Sequence, residues 1–546
     1  MFFFKNTKRI LKPRQKLPFT GHPSDGRPIL FTFLKLQANW FVLLSGNTTG
    51  MSKEFISREI KIGTLRLGRK QPVRLQSMTN TPTLDTAATV NQVIRLANAG
   101  CEMVRITAAN IREAESLKNI KASLIKKGID IPLIADIHFL PRAAGVAAKI
   151  VDKVRINPGN YVGPQHKKRT YTDEEYRDEL RLTAQNLEPL LKSCKTHKTA
   201  VRIGINHGSL SDRILYRYGN TAEGMVASAI EFIEICRLAG FDNLVISLKS
   251  SHVPTMLKAN RLMVEKMRAA GYDYPLHLGV TEAGNGYEAR VKAAAGIGAL
   301  LADGIGDTIR VSLTEAPENE IPIAKKLIEF YGRARKTMPP SEVTFYSVQG
   351  AQQNKAPLVV TTSKASKSDV EAGVLSLRKF DSTSDPENKI IKLSYPGIAF
   401  EDLLLRVPAD FARAVKTCKP GGICIENENR TSDEIHAELA LKTLQALSLR
   451  YSQTEFVACP SCGRTQFDIE ALLEEVKSKL GHLSALKIAV MGCVVNGPGE
   501  MADADFGLMG SGRNRVNLYQ KQTLIEKNIP IRQAADKLLQ VIRQKG

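Results

Sequence analysis

Two short cysteine motifs near the end of the chain have the residue types and spacing to bind a metal centre. Cys459 and Cys462 stand three positions apart on a turn that contains Pro and Gly, so both thiols can face one centre. Cys493 follows an apolar run, Leu486–Val490, that predicts a buried strand. A Gly-Pro-Gly turn then leads to the carboxylate of Glu500. These four side chains are candidate metal ligands.

Three soft thiolates suit an iron–sulfur cluster, which normally takes four protein ligands. The two motifs hold no fourth cysteine, and a carboxylate such as that of Glu500 is a hard and weakly held substitute. A cluster with one labile corner can bind a substrate as well as carry electrons. The pattern therefore indicates an enzyme whose cluster takes part in the chemistry.

Zinc is the main alternative for a Cys-x-x-Cys motif. A zinc site would need a fourth Cys or His, and Cys418 and Cys424 could supply a distant pair. A redox dithiol and three unrelated core thiols are the other options. Residue types and spacing alone leave these alternatives open.

The composition is that of a large globular α/β protein with reduced thiols. The chain has 546 residues, enough for about three or four domains. It has only 8 Cys, unevenly spaced, which excludes a secreted disulfide scaffold and favours a cytoplasm or an organelle stroma. We expect no membrane span, because no run of roughly 18 apolar residues lacks a charge.

The net charge of +22 fits a nucleic acid, an anionic membrane or an anionic substrate as partner. The basic residues are dispersed, however, and many lie in helical segments such as Lys118–Lys127. Aromatic and basic residues do not alternate as they do on a nucleic-acid binding platform. We therefore expect a solvated basic surface and no nucleic-acid partner.

Residues 1–50 differ from the rest of the chain. They carry eight basic residues against one acidic residue, Asp25. A targeting peptide, which would imply a plastid stroma, and an upstream extension before a start at Met51 both fit. The extension is favoured because the segment has no clear cleavage-site pattern, and it implies a bacterial cytoplasm. We exclude this segment from the fold.

From about residue 70, short β-branched runs alternate with helical segments. Thr83–Ala99 has an apolar face, with Asp85 as its predicted N-cap and Gly100 as its predicted end. Eight strand–helix units over roughly 260 residues predict a TIM (β/α)8 barrel, with a doubly wound open sheet as the alternative. The predicted strands are Val73–Met78, Met103–Thr107, Leu133–Ile137, Val154–Asn157, Val201–Asn206, Leu244–Leu248, Leu276–Val280 and Thr308–Leu313.

Polar residues concentrate where these strands end, which is the mouth at which barrel active sites lie. Five cations on core strands need anionic partners, and together they predict a di- or polyphosphate ligand. Single cations could instead pair with Asp136, Asp307 or Glu282. The cations are Arg105, Arg155, Arg202, Lys249 and Arg310, and the other polar residues at the strand ends include Asp136, His138, Asn157, Asn206, Glu282 and Ser312.

The remaining chain predicts two further domains. The barrel domain spans 51–335 and ends in a helix at Ile321–Arg335; residues 336–450 form an inserted α/β spacer domain, and residues 451–546 form a cluster domain. We expect helices at Ser432–Ser448, Thr465–Leu480 and Arg532–Gln544. The predicted strands of the insert are Val343–Val348, Pro357–Thr362, Lys389–Ser394, Leu403–Val407 and Gly422–Glu426.

Several long stretches match one known family in their order along the chain. They are Gln76–Thr81, Ala135–Phe139, Arg155–Asn160, Gly279–Gly284 and the two cysteine motifs. These stretches resemble the 4-hydroxy-3-methylbut-2-enyl diphosphate synthase family (IspG/GcpE) of the methylerythritol phosphate route to isoprenoids. The resemblance covers residues 54–335 and 451–546, and the block 336–450 resembles the extra domain of the larger, three-domain form.

The resemblance implies a cofactor, a reaction and roles for individual residues. It implies a [4Fe–4S] cluster and the reductive ring opening of 2-C-methyl-D-erythritol 2,4-cyclodiphosphate, with two electrons from ferredoxin or flavodoxin. By the family pattern, Glu282 is the candidate proton donor. The implied ligands of the cluster are Cys459, Cys462, Cys493 and Glu500; Arg105, Arg155, Arg202 and Lys249 hold the diphosphate, Asn157, Asn206, Arg310 and Ser312 surround it, and Asp136, His138 and Glu282 line the reacting end.

The resemblance also implies an α+β cluster domain, similar to those of sulfite and nitrite reductases, that caps the barrel mouth. In the shorter family form the cap comes from the partner subunit, so a homodimer is one option. The inserted domain would let one chain cap itself. The rival hypotheses are a sulfite- or nitrite-type reductase, which needs a sirohaem pocket, and a nucleic-acid binder, which leaves the charged mouth unexplained.

Overall fold

The computed structural model describes most of the chain from residue 55 onward. The described residues are 55–138, 140–161, 170–333, 342–347, 356–361, 374–376, 381–382, 389–416, 418, 420–428, 431–483, 486–494 and 497–545. The predicted extension at 1–50 lies outside them, as do the predicted ends of two strands at 348 and 362. The predicted domain boundaries at 335/336 and 450/451 remain a prediction.

Eight parallel strands form a nearly closed barrel. They follow a short hairpin, β1 (Ile60–Ile62) and β2 (Leu65–Leu67), whose side chains cover one end of the barrel interior. The barrel strands are β3 (Arg74–Met78), β4 (Met103–Thr107), β5 (Leu133–Asp136), β6 (Lys153–Ile156), β7 (Ala200–Asn206), β8 (Leu244–Lys249), β9 (His277–Leu278) and β10 (Thr308–Ile309).

The strand order confirms the predicted TIM barrel and excludes the doubly wound sheet. Strands β3 to β8 pair in chain order, and β10 pairs with both β9 and β3. A single bridge between Ile246 and Leu276 brings β8 beside β9. Strands β9 and β10 are shorter than predicted, because the residues that follow them bond to neighbouring loops; Thr281 N–H, for example, donates to Ser250 O at 3.2 Å.

Helices connect the barrel strands. The first, α1 (Thr86–Ala99), begins at Asp85, whose side chain accepts the Ala88 N–H, and ends at the left-handed Gly100, both as predicted. No helix in the described part of the chain is long and apolar enough to cross a membrane. The other helices are α2 (Ile111–Lys126), α3 (Pro141–Ala147), α4 (Pro158–Tyr161), α5 (Asp173–His197), α6 (Asp212–Tyr218), α7 (Ala222–Leu238), α8 (Val253–Ala270), α9 (Gly286–Ala293), α10 (Ala299–Ala302) and α11 (Glu320–Tyr331), with a π-turn at Ala294–Gly298 and 3-10 turns at His207–Ser209 and Pro317–Asn319.

A second sheet follows the barrel, in the order β13-β12-β16-β15-β11-β14. Helix α11 ends at Tyr331, earlier than the predicted Arg335, because Gly332 adopts an extended conformation. The elements of the second sheet are β11 (Glu342–Ser347), β12 (Leu358–Thr361), β13 (Val374–Ser376), β14 (Asp381–Ser382), β15 (Lys389–Tyr395), α12 (Phe400–Ala414), β16 (Pro420–Asn427) and α13 (Asp433–Ala446).

The predicted strand at Leu403–Val407 is wrong, because this segment lies inside helix α12. A short apolar run does not distinguish a strand from a helix that is buried on most sides. Residues Leu403–Ala412 are all buried, and the helix packs on the barrel so closely that a Cβ on Gly298 would lie 2.7 Å from that of Ala409.

The C-terminal part of the chain is an α/β unit on one mixed sheet, ordered β17-β18-β19-β20-β21. Helix α14 begins at Ile469, later than the predicted Thr465, because Asp468 is its N-cap and accepts the Ala471 N–H at 3.0 Å. The elements are β17 (Glu455–Ala458), α14 (Ile469–Leu480), β18 (Lys487–Met491), α15 (Gly497–Glu500), β19 (Phe506–Gly512), β20 (Arg515–Gln520), β21 (Thr523–Pro530) and α16 (Ile531–Lys545).

This C-terminal unit, hereafter the cap (residues 455–545), lies over the barrel mouth of the same chain. Ala458 N–H donates to Glu282 O at 3.1 Å, and Gly284 N–H donates to Ala458 O at 3.3 Å. Lys292 on α9 forms a buried ion pair with Glu455 on β17 at 3.1 Å. Backbone bonds and a buried ion pair therefore fix the cap on the barrel.

Gly499 of the cap touches the barrel main chain at Gly208, where a Cβ on Gly499 would overlap the Gly208 carbonyl. We expect Gly499→Ala to displace the cap at a cost of about 1–3 kcal/mol. Hydrogen exchange of the amides at 207–210 should then quicken and the melting temperature should fall. Gly512→Ala is the control, because its Cβ would meet open space. Unchanged exchange in Gly499→Ala would refute this close contact.

Candidate active site

A cavity lies between the barrel mouth and the cap. The space that the centre of a water molecule can reach is about 80 Å³. Most of the predicted site residues line it, whereas Asn157 and Glu500 do not. The barrel contributes Met78, Arg105, Asp136, His138, Arg155, Arg202, Asn206, Lys249, Thr281, Glu282, Arg310 and Ser312, and the cap contributes Cys459, Pro460, Ser461, Cys462, Arg464, Met491, Cys493 and Gly497.

Strand register brings the charged barrel residues to one level. Asp136 on β5 stands opposite Arg155 on β6, which stands opposite Arg202 on β7. Arg155 donates to Asp136 at 3.3 Å, and Asp136 was one of the partners considered for single cations in the sequence analysis. Arg202 is 1% exposed and donates to Ser247 Oγ at 3.0 Å, but its Nε and Nη2 atoms have no partner. A fully buried guanidinium thus retains unused donors.

The positive charges in the cavity are unfavourable because they are buried and lie close together. Burial lowers the pKa of Arg202 and of Lys249 well below their usual values, and repulsion among the neighbouring cations lowers both further. Burial also lowers the pKa of Arg105 to about 10, although Asp136 opposes this effect. An anionic ligand would relieve the repulsion and use the free donors, so the cavity is built to bind an anion.

Arg310 already has an anionic partner that the sequence analysis missed. Its Nη2 lies 2.9 Å and its Nε 3.1 Å from the carboxylate of Glu320. Burial alone would lower the pKa of Arg310, but Glu320 raises it above the usual value. Asp307, one of the partners considered, pairs with Arg333 at 2.8 Å instead. Arg310 therefore has less unused charge than Arg202.

Asp136 and His138 form a buried acid–imidazole pair. His138 Nε2 lies 3.2 Å from Asp136 Oδ2 and 2.9 Å from Arg155 Nη1. Burial lowers the pKa of His138 to about 3, so the imidazole is neutral. Burial alone would raise the pKa of Asp136, but the charges of Arg105 and Arg155 and a hydrogen bond with His138 hold it well below its usual value.

The three predicted thiols line the cap side of the cavity. Cys459 and Cys493 follow β17 and β18, which are neighbouring parallel strands, so both leave the sheet at one edge. Gly492 N–H donates to Cys459 Sγ at 3.1 Å. Burial raises the pKa of Cys459 to about 12, whereas a hydrogen bond with Cys493 lowers the pKa of Cys462 well below its usual value.

The second cysteine pair plays no part in this cavity. Cys424 is buried in the core of the second sheet, and Cys418 contacts the Ala414 carbonyl. Among the described residues, no three or more Cys, His, Asp or Glu side chains converge on a single ion. The three thiols that line the cavity are therefore the cysteines that could hold a cofactor there.

Glu282 and Glu500 meet at the seam between the barrel and the cap. Both are buried, with a hydrogen bond between their carboxyl groups. Burial raises the pKa of each, and the charge of Glu282 raises that of Glu500 further. Glu282 has a left-handed backbone (φ 49°), which a non-glycine residue rarely adopts. This strained position turns its carboxyl group toward the cap.

Arg464 is the one cation that the cap adds to the described cavity lining, and the sequence analysis did not single it out. Its Nη2 lies 3.8 Å from Asp136 Oδ2, while its Nε and Nη1 atoms have no partner. Burial would lower its pKa, but Cys462, Asp136 and Cys493 raise it. Its position two residues after a candidate ligand was the available signal.

Asn157 lies outside the cavity and supports the rim beneath the cap. Its side-chain amide donates to Ser209 Oγ at 3.2 Å, and its oxygen accepts the Gly159 N–H at 3.3 Å. Ser209 belongs to the 3-10 turn whose Gly208 meets Gly499 of the cap. The geometry thus gives Asn157 a structural task at the seam.

Two family models match most of the chain. Residues 57–325 match the GcpE TIM-barrel domain, and residues 455–544 match the GcpE protein C-terminal domain. The chain is 40% identical to 4-hydroxy-3-methylbut-2-en-1-yl diphosphate synthase (flavodoxin) of Phocaeicola vulgatus, over 90% of this chain and 98% of that one. Proteins of the same name from Akkermansia muciniphila and Chlamydia felis are 38% and 35% identical, over 90% of this chain and 96% and 97% of theirs.

Solved structures match at lower similarity. The N-acetylneuraminic acid synthetase of Leptospira borgpetersenii is 12% identical with a TM-score of 0.35, over 53% of this chain and 95% of that one. Likeness at this level carries no argument about this protein.

Replacing Arg202 tests whether this residue lowers the stability of the folded protein but contributes to anion binding. Arg202→Met removes a buried charge with unused donors, so we expect the ligand-free protein to become more stable by about 1–4 kcal/mol. Its affinity for inorganic pyrophosphate should fall about tenfold or more. Thermal unfolding with and without pyrophosphate measures both effects.

The control for Arg202→Met is Arg95→Met, which removes an exposed arginine paired with Glu318. This control should keep the response to pyrophosphate. If Arg202→Met kept the full response as well, Arg202 would have no share in anion binding.

Proposed function

Because the chain belongs to the GcpE family, we propose that it converts 2-C-methyl-D-erythritol 2,4-cyclodiphosphate to 4-hydroxy-3-methylbut-2-enyl diphosphate in the methylerythritol phosphate pathway. The reaction breaks a C–O bond of the ring, releases a hydroxyl group as water and takes up two electrons. One observation carries the proposal: a single capped cavity sets buried cations with unused donors opposite three thiols.

The proposed cofactor is a [4Fe–4S] cluster held by Cys459, Cys462, Cys493 and Glu500. The soft thiols line one wall of the cavity, and a backbone N–H already points at the sulfur of Cys459. Glu500 is buried with its Oε1 atom unpaired, which suits a replaceable ligand. When bound, such a cluster supplies single electrons and a Lewis-acidic iron.

The barrel cations hold the diphosphate. Arg202 and Lys249 gain from a bound anion, because burial and then repulsion from neighbouring cations lower the pKa of each. Fixed cations in a dry site stabilise the charge that develops on the leaving phosphate oxygen as the ring opens. The proposed diphosphate ligands are Arg105, Arg155, Arg202 and Lys249, with Asn206, Arg310 and Ser312 beside them and Asn157 supporting the rim.

Asp136, His138 and Glu282 act at the reacting end. The neutral His138 imidazole accepts or donates hydrogen bonds without adding charge, and Asp136 orients it at 3.2 Å. Glu282 is the proposed donor of the proton to the departing hydroxyl group, because burial raises the pKa of this carboxyl group. The contact between Glu282 and Glu500 keeps this donor at the seam, beside the proposed cluster.

The remaining domains position these parts. We assign residues 336–450 as the spacer, because α12 packs on the barrel at Gly298 and the chain then continues into the cap. The cap is the α+β iron–sulfur domain of the sulfite and nitrite reductase type. The proposed location is a bacterial cytoplasm, in which the eight cysteines stay reduced. Flavodoxin, named in the relatives, is the proposed electron donor, and ferredoxin is the alternative.

Anaerobic turnover of the cyclodiphosphate by protein with counted iron and sulfide tests the proposed function. With dithionite as reductant we expect about four irons per chain and formation of the hydroxymethylbutenyl diphosphate. A complete cluster without product, or zinc in place of iron, would overturn the proposal. The substrate should also protect the protein against thermal unfolding, as we expect of pyrophosphate.

Removing one thiol distinguishes cluster ligands from structural cysteines. We expect Cys462→Ala to lose most of its iron, because one of three thiolate ligands is gone. Cys418→Ala should keep the full iron content, since Cys418 lies outside the cavity. Iron and sulfide analysis and the visible absorption of the reconstituted proteins give the answer. Equal iron in both variants would remove Cys462 from the ligand set.

Glu282→Gln tests the proton donor. The amide retains the shape of the side chain but has no acidic proton, so we expect turnover to fall by about 10²–10⁴. Iron content and substrate KM should stay close to those of the unsubstituted protein. A turnover rate within about threefold of that of the unsubstituted protein would show that another group donates the proton.

A further inference from the structure

One edge of the cap sheet exposes an apolar side chain next to a candidate cluster ligand. Val494 directly follows Cys493 and is 58% exposed. Strands β17, β18 and β19 run parallel, so the segments that follow them leave the sheet at the same edge. Cys459 and Cys493 begin two of these segments. Solvent therefore reaches within one residue of the proposed cluster site at this edge.

Basic side chains lie at the same edge. Arg513 and Arg515 are exposed in and beside the turn that joins β19 to β20. This turn lies against the cysteine segment, because a Cβ on Gly510 would overlap the carbonyl group of Gly492. The exposed Lys527 is here too, since its neighbour Asn528 contacts Ser511 at 3.1 Å.

Little negative charge offsets these cations within the same hairpin segment. Residues 506–530 contain four basic residues and a single acidic one, Glu526. Glu526 lies 3.5 Å from Lys537 on α16, so its charge is already paired. The hairpin thus presents exposed basic side chains beside the exposed Val494, which complements an acidic partner.

We propose that Val494, Arg513, Arg515 and Lys527 form the docking surface for flavodoxin, hereafter the basic edge. The proposal rests on the proposed function, since it requires a cluster that accepts electrons. Reduced flavodoxin docks its acidic face here and transfers one electron, becoming oxidised by one electron. Two such encounters supply the two electrons of one turnover.

The position of Cys493 explains why this edge, and not the cavity, receives the donor. Cys493 lines the substrate cavity, while the next residue, Val494, faces solvent. The barrel bounds the cavity on its other side, where Glu282 and Gly284 bond to Ala458. Electrons can therefore enter from outside while the substrate site stays capped.

Charge reversal at the basic edge tests the proposal on the full-length protein with its cluster. In the double variant Arg513→Glu/Lys527→Glu, the second-order rate of cluster reduction by flavodoxin should fall about tenfold at low ionic strength. The rate with dithionite should be unchanged. The control is Lys521→Glu, an exposed lysine at the opposite end of the same hairpin strands. It should leave both rates within about twofold, since its charge lies away from the contact.

The two reductants separate the outcomes. A loss with flavodoxin alone supports the basic edge. An unchanged flavodoxin rate overturns it, and so does an equal loss with both reductants, which would indicate damage to the cluster. If ferredoxin responds to the substitutions and flavodoxin does not, the choice of partner is wrong. Absence of turnover with dithionite in the unsubstituted protein would instead refute the proposed function.

Discussion

Repulsion among buried cations at the barrel mouth is the constraint on which the rest of the site depends. Arg155 and Arg202 stand side by side on neighbouring strands, and Lys249 and Arg105 are close enough to lower the pKa values of the group. Asp136 and Glu320 offset part of this charge. The positive charge that is not offset leaves buried hydrogen-bond donors without partners, which lowers the stability of the fold unless an anion binds. The proposed cyclic diphosphate substrate would supply the missing negative charge, which would favour ligands that carry such charge.

The cap makes this charge useful. It covers the mouth, which reduces the exposure of the cations to solvent and so strengthens the electrostatic interactions there, and it brings three thiols to the side opposite the cations. Bonds across the seam, such as the Lys292–Glu455 pair, hold the two parts together within one chain. The spacer permits this arrangement, because α12 anchors it to the barrel before the chain enters the cap. The barrel cations, Glu282 and the thiols of the cap thus meet at one seam, and the proposed site of electron entry lies on the outer side of the cap.

Residue patterns predicted the repeating strand–helix units of the barrel and the charged residues that lie on its buried strands. Alternating strands and helices predicted the barrel, and arginines on core strands such as Arg202 predicted the anion site, because burial of a charge is rare without a purpose. The helix at Leu403–Val407 was missed because five residues are too few to show a helical period; over the whole of α12 the polar residues Asp402, Arg406, Asp410 and Arg413 recur at helical spacing. Glu320 and Arg464 were missed because their partners, Arg310 and Asp136, are brought to them only by the folded chain. The prediction that the C-terminal domain covers the barrel depended on the family resemblance, because residue spacing does not show which domains contact each other.

The central claim is that the cations and the thiols of one active site belong to the same chain. A mixture of two inactive variants tests it most directly: Cys459→Ser lacks a proposed cluster ligand, and Arg155→Ala lacks a cation of the mouth. The two chains would be unfolded and refolded together, then reconstituted with iron and assayed anaerobically. Because both groups lie in the cavity of one chain, we predict that the mixture is no more active than the separate variants. Recovery of a substantial share of the unsubstituted activity would show that the cap of one chain covers the barrel of another, and would contradict the arrangement described here.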